Sequence, residues 1–174
     1  NQLNNPGDVY VDNNGNIFVA DLNNERVQKW VPNATSGTTV AGGNGSGNAA
    51  NQLSSPQAVH VDNNENIYIA EYGNNRVQKW APGASSGTTV AGGNGQGSAA
   101  NQLSSPRGIH LDNSGNIYIA DYANNRNWNV LDLNESIFVD SLFNDADHLN
   151  IYGAEKTTKM IDSVLTIILN QKIK

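Results

Sequence analysis

Pro56-Gln57-Ala58-Val59-His60-Val61-Asp62, then Asn66-Ile67-Tyr68-Ile69-Ala70-Glu71, then Asn74-Asn75-Arg76-Val77-Gln78-Lys79-Trp80 decide how this chain folds. The apolar residues are mostly β-branched or aromatic, and each run is short before polar turn residues intervene. That pattern predicts strands over 58–61, 67–70 and 76–80, with a fourth over 88–91. Between the first two lies Asp62-Asn63-Asn64-Glu65-Asn66, built of residue types that tolerate tight turns. Pro82-Gly83 and Gly92-Gly93-Asn94-Gly95 punctuate the later connections.

The same segments recur 50 residues earlier and, in part, 50 residues later. Asn1-Gln2-Leu3, Asn51-Gln52-Leu53 and Asn101-Gln102-Leu103 mark the three starts, and the register holds through Arg26, Arg76 and Arg126. Val-Gln-Lys-Trp follows the first two arginines, but Asn127-Trp128-Asn129-Val130 follows the third. The organisation is therefore residues 1–126 as repeats (1–50, 51–100 and a truncated 101–126) and residues 127–174 as a different piece. A repeat of this length is one supersecondary unit that buries its faces only against its neighbours. Four strands per unit without a helical period predict a propeller blade.

Each copy carries Pro-x-x-(Val/Ile)-x-(Val/Leu)-Asp from Pro6, Pro56 and Pro106, and the third adds Gly115-Asn116-Ile117-Tyr118-Ile119-Ala120-Asp121. With Asn-Asn-Arg-Val-Gln-Lys-Trp of the second copy, these residues resemble the NHL repeat over residues 1–126. The resemblance implies a mainly β fold: a partial, two to three blade β-propeller of four-stranded antiparallel blades. NHL propellers usually have six blades, and their loops and central channel bind protein, RNA or small ligands. Two and a half blades do not close a ring, so self-association through open blade edges is expected. Trp30 and Trp80, which end matching strands, are expected in matching environments.

Composition narrows the function classes. The net charge of −6 argues against nucleic acid, whose phosphates demand clustered Lys and Arg. The absence of cysteine excludes thiolate metal sites, disulfides and Cys nucleophiles. No cofactor is indicated. The longest mostly apolar stretch, residues 164–169, is far short of the roughly 20 residues needed to span a bilayer. The first residue already lies inside a repeat, which reads as a start downstream of the natural N-terminus. The compartment stays open, with an extracellular or cell-envelope setting as the working expectation.

Within the repeats, Asp21 with Arg26, Glu71 with Arg76 and Asp121 with Arg126 place an acid and a base five residues apart. Recurrence in every unit favours ion pairs that tie the second strand to the third over a ligand-binding row of arginines. His60 and His110 occupy equivalent positions, but the first copy has Tyr10 there, and two imidazoles make a poor zinc site. Gly7, Gln57 and Arg107 stand after the blade prolines, where the NHL-like peptidylglycine amidating lyases place zinc-binding histidines. No metal site is expected. Asp12-Asn13-Asn14-Gly15-Asn16 departs from an EF-hand loop at Ile17 and reads as a hairpin turn. Gly43, Gly45 and Gly47 read as a blade-to-blade connector rather than a phosphate cradle, because no helix follows.

After Arg126 the pattern becomes strand (130–133), polar loop and helix, the last from Met160, Ile161, Val164, Leu165 and Ile168 at helical spacing. The loop holds Asp145-Ala146-Asp147-His148-Leu149-Asn150, and Gly153-Ala154 opens the helix. Residues 128–172 thereby resemble the C-terminal end of an SGNH hydrolase or acyltransferase. The resemblance implies His148 as general base and Asp145 as the residue that orients it. Asp145, Asp147 and Asn150 equally suit a helix N-terminus. The family's Gly-Asp-Ser-like nucleophile block has no counterpart upstream, and Ser136 and Ser141 lack the flanking glycines of a sharp turn. An acid and base without nucleophile or oxyanion donors make no acyl-transfer site.

The reading that follows is a non-catalytic repeat scaffold presenting propeller loops to a protein or glycan partner. One alternative is an esterase or acyltransferase fragment using Asp145 and His148, with its nucleophile missing from this chain. The other is a chimeric product joined at Arg126-Asn127, with no evolved function as a unit.

Overall fold

The computed structural model describes residues 2–122, together with the backbone of two short strands at Trp128–Asn129 and Leu149–Asn150. Strands β1 (Pro6–Val11), β2 (Ile17–Asp21), β3 (Arg26–Trp30) and β4 (Thr38–Gly42) pair in sequence order into one four-stranded sheet. Strands β5 (Pro56–Val61), β6 (Ile67–Glu71), β7 (Arg76–Trp80) and β8 (Thr88–Gly92) build a second sheet in the same order. Every neighbour in both sheets is antiparallel, and the registers coincide once 50 is subtracted. Even the irregularities repeat, at Pro6/Asp8 and Pro56/Ala58 and at Val27/Gln28 and Val77/Gln78. Among the described residues the helical content is one 3-10 turn, Leu22–Asn24.

The short strands follow from turn chemistry placed every few residues. The Asp12 carboxylate accepts the backbone N–H groups of Asn14 and Asn16 and the Asn16 side-chain amide, at 2.9, 2.9 and 2.7 Å. Asp62 and Asp112 close their turns in the same way. The residues that looked like a calcium loop are thus a self-closing hairpin turn. The Gly43–Gly47 region is the connector to the next sheet, held by Gly47 N–H donating to the Leu53 carbonyl and Asn44 Nδ2 donating to the Asn51 carbonyl.

Alternate side chains on each strand face opposite neighbours. Phe18, Ala20, Val27 and Ala41 of the first sheet pack against Val59, Val61, Ile67, Ile69 and Trp80 of the second. The opposite face of the second sheet, with Ala58, Tyr68, Ala70, Val77 and Ala91, packs against Leu111, Ile117 and Ile119 of the third. Leu53 and Leu103, the third residues of their repeats, are fully buried at the two junctions. Burying each stabilises the stack by about 1.5–3 kcal/mol.

The first strands of successive sheets, β1, β5 and β9 (Gly108–Leu111), lie side by side, so the sheets radiate like blades. The third blade continues past the repeat. Strand β10 (Ile117–Tyr122) pairs antiparallel with β9 and with β11 (Trp128–Asn129), and β11 pairs parallel with β12 (Leu149–Asn150). Its sheet therefore has four strands, two drawn from beyond the repeat. The strand expected over 130–133 and the helix expected after Gly153 lie outside the described residues.

One expectation needs correcting. Trp80 is 2% exposed, sealed between the first two blades, whereas Trp30 is only half-buried. Trp30 shares the blade face of Val9 and Val11, which are 59% and 57% exposed. The matching face of the second blade, with Val59 and Val61, is covered by the first. Equal strands are not equal environments when the stack covers only one of them.

Candidate binding rim

In each hairpin of first and second strands, the start of one pairs with the end of the other: Pro6 with Asp21, and Pro56 with Glu71. In the third blade Arg107 N–H donates to the Ala120 carbonyl at 2.9 Å. One rim of the molecule therefore gathers the residues after each blade proline with those after each second strand.

The acid–base pairs stand at this rim and are structural. Arg26 Nε donates to Asp21 Oδ2, and Arg76 Nε to Glu71 Oε1, both at 2.7 Å. Arg76 also donates to the carbonyls of Asn48, Ala49 and Gln52, at 2.9, 3.3 and 3.2 Å, pinning the incoming connector. Polar clefts open beside both arginines, of about 360 Å³ at Arg26 and about 510 Å³ at Arg76. The Arg76 donors point inward to protein acceptors, so its cleft offers no free cation. Arg126, the base of the third pair, lies outside the described residues.

Burial sets these acids apart. It pushes the Glu71 carboxyl above the ordinary glutamate range, outweighing Arg76, Asn74 and the Ser54 N–H. Asp121 is pushed up to about 6 by burial, against the N–H groups of Ser104 and Tyr122. Burial also acts on Asp21, but the Asn4 N–H, Asn24 and Arg26 outweigh it and hold that carboxyl below the usual range.

A second feature is a row of rings on the first strands. His60 lies 4.6 Å from Tyr10 and 5.1 Å, edge-on, from His110, whose ring is 6.4 Å from Tyr118. Burial lowers the His60 pKa, and the neighbouring His110 lowers it further, with Asp62 and Asp8 pulling the other way. The equivalent histidines do converge. Among the described residues no cluster of three or more His, Asp or Glu is placed to hold a metal ion.

The third feature was not foreseen. The Arg107 guanidinium lies 5.5 Å from the Tyr72 ring and 5.2 Å from the Tyr122 ring, bridging two blades. Each contact at an exposed site is worth about 0.5–1 kcal/mol. The backbone is held firmly here, with Tyr72 N–H donating to the Ser55 carbonyl and Gly73 N–H to the Ser54 carbonyl, both at 3.1 Å. Arg107 is exposed, and Tyr72 and Tyr122 are 38% and 37% exposed. The nearby acids are turned inward: Glu71 serves Arg76, Asn74 and Ser54, and Asp121 Oδ1 accepts the Ser104 N–H at 2.7 Å. Among the described residues no carboxylate forms an ion pair with Arg107.

A sequence signal for this site exists. Over the 26 positions shared by all three copies, only three differ in every copy: Gly7/Gln57/Arg107, Asp8/Ala58/Gly108 and Asn23/Gly73/Ala123. Positions shared by all copies serve the common blade, whereas these three change with the blade boundary at which they stand. The first two begin the inner strand, and the third follows the second strand, so in the first two copies all three belong to the same rim.

Residues 3–30, 53–80 and 103–126 match the NHL repeat. NHL repeats are thus found within residues 3–126. No curated protein matches the chain. Among solved structures, a chain of the nidogen/laminin complex is similar with a TM-score of 0.56 at 18% identity. That match covers 72% of this chain and 42% of the other. An auxiliary nutrient binding protein from Bacteroides thetaiotaomicron VPI-5482 is similar with a TM-score of 0.53 at 15% identity, over 65% of this chain and 34% of the other. The chain thus spans less than half the length of either, and at these identities the likeness is one of fold. The NHL matches end at Arg126; Asp145, His148, Ser136 and Ser141 lie beyond them and outside the described residues.

Proposed function

We propose that this chain is a non-catalytic binding scaffold whose NHL blades present one rim to a protein partner. The observation that carries the reading is the Tyr72–Arg107–Tyr122 cluster, exposed and held by backbone hydrogen bonds. Tyrosine and arginine are the residue types that dominate interface energetics, because they combine large rigid area with polar handles. Its cation, Arg107, stands at a position that differs in all three copies, whereas Tyr72 and Tyr122 are equivalent tyrosines of the second and third copies.

A peptide and glycan array probed with the chain and with its Tyr72→Leu/Arg107→Gln double variant tests this. Both replacements occur naturally at these positions in other copies, as Leu22 and Gln57, so the blades should survive them. Signals that vanish in the double variant are expected. A ligand profile unchanged by it overturns the reading, and signals confined to glycans would move the partner to that class.

The rival hydrolase reading rests on Asp145 and His148 in sequence alone. Its test is hydrolysis of small acyl esters at neutral pH, where no turnover above a His148→Ala control is expected. Turnover lost in that variant, with a serine labelled by a phosphonate probe, would replace the scaffold reading. Self-association belongs to the same proposal: the open face with Val9, Val11 and Trp30 favours it, and a strictly monomeric chain at high concentration in light scattering would remove it.

A further inference from the structure

We infer that the Tyr72–Arg107–Tyr122 cluster is a carboxylate clamp that recognises an acidic segment of a protein partner, an inference that rests on the scaffold reading. The two rings fix the guanidinium between blades, at 5.5 and 5.2 Å, before any ligand arrives. An arginine's planar fork of N–H donors matches a carboxylate in two-point geometry, and a fork already held in place loses less freedom on binding. Among the described residues the charge is uncompensated by the acids around it, because Glu71 and Asp121 are buried and committed to other donors.

Three observations select the ligand class. The chain's net charge of −6 repels an extended polyanion, whereas one isolated cation suits one or two carboxylates. A sugar ring stacks on a bare aromatic face, and here each tyrosine turns a face to Arg107. The position is also unique to one blade boundary: the preceding copies place neutral Gly7 and Gln57 there, so no repeating track is built for a regular polymer. A short acidic stretch of polypeptide satisfies all three.

The test is an NMR titration of the isotope-labelled full chain, following the Arg107 Nε–H signal, identified by its loss in Arg107→Gln. The probes are a capped Gly-Glu-Asp-Glu-Gly peptide, its Gln/Asn twin, a neutral peptide with a free C-terminal carboxylate, and tetragalacturonate. The capped acidic peptide should move the signal saturably and the neutral twin should not. Arg107→Gln should weaken the peptide, followed by Tyr72 signals, roughly tenfold, the value of a charge-assisted hydrogen bond. Tyr72→Leu should weaken it less, because the cation remains but is no longer held. A response to the free C-terminus instead of side-chain carboxylates keeps the clamp and reassigns the source of the carboxylate. Movement by tetragalacturonate alone overturns the peptide inference while leaving a scaffold with a glycan ligand. Equal peptide affinity in Arg107→Gln, or no response to any probe, overturns the clamp; the scaffold reading falls with it only if the array profile is also blind to the double variant.

Discussion

Across the first blade boundary, the backbone N–H of Val59 donates to Asp8 Oδ2 at 3.0 Å. Val59 lies on β5, the inner edge strand of its blade, and is buried. On an edge strand alternate N–H groups point away from the sheet, and that of Val59 is one of them, so a neighbouring side chain is the acceptor open to it. Asp8→Ala should therefore lower stability by about 1–3 kcal/mol, the cost of an unsatisfied buried donor. Asp8→Asn, which keeps an oxygen in place, should cost less. Urea unfolding of the pair decides it, and equal midpoints would remove the bond from the boundary's energetics.

The two ion pairs share a geometry but differ in surroundings. The Arg76 side chain is 9% exposed and holds three connector carbonyls, whereas that of Arg26 is 18% exposed. Removing one member of a buried pair leaves an uncompensated charge and costs about 3–5 kcal/mol. Arg76→Ala should approach that range, and Arg26→Ala should fall clearly below it. Denaturant midpoints in the reverse order would contradict the argument.

His60 supplies a pH dependence with a definite sign. Its neighbours are Tyr10, His110, Asp62 and Asp8, and the net effect of burial and His110 lowers its folded pKa below 6.5. In that window the unfolded chain binds more protons than the folded one, so stability rises with pH. The contribution is complete above 6.5 and is lost as pH falls from there toward the depressed folded value. His60→Gln should flatten this part of the stability profile. A slope unchanged in the variant would assign it to other groups.

Gly92 ends β8 at φ +67°, and a Cβ there would run into the Asn75 carbonyl and the Leu103 side chain. Gly42 repeats the arrangement with Glu25 and Leu53. Gly92→Ala should destabilise by at least about 1–3 kcal/mol from backbone strain alone, before the clash is added. Gly83, at φ +70° with nothing near it, is the control: Gly83→Ala should cost less, since strain acts there without the clash. Thermal unfolding that ranks the two the other way would refute the role given to Leu103 packing.

Contacts that close within one repeat follow from the residues of that repeat. Alternating apolar runs, Asp12-type turns and the Asp21–Arg26 spacing each specify a contact over a few residues; the structure realises the turns in all three copies and the ion pair in the first two. Val27 and Val77 could likewise be read as core, because strand alternation commits one face to burial. Tertiary structure alone decided what happens between copies. Asp8 reaches Val59 across 51 residues, and Arg107 meets Tyr72 from the next blade, contacts no local pattern encodes. Trp30 and Trp80 make the same point from the opposite side, since the same Val-Gln-Lys-Trp ends half-exposed in one blade and sealed in the other. The repeat sets each blade's chemistry, but burial and charge compensation depend on which faces the stack brings together.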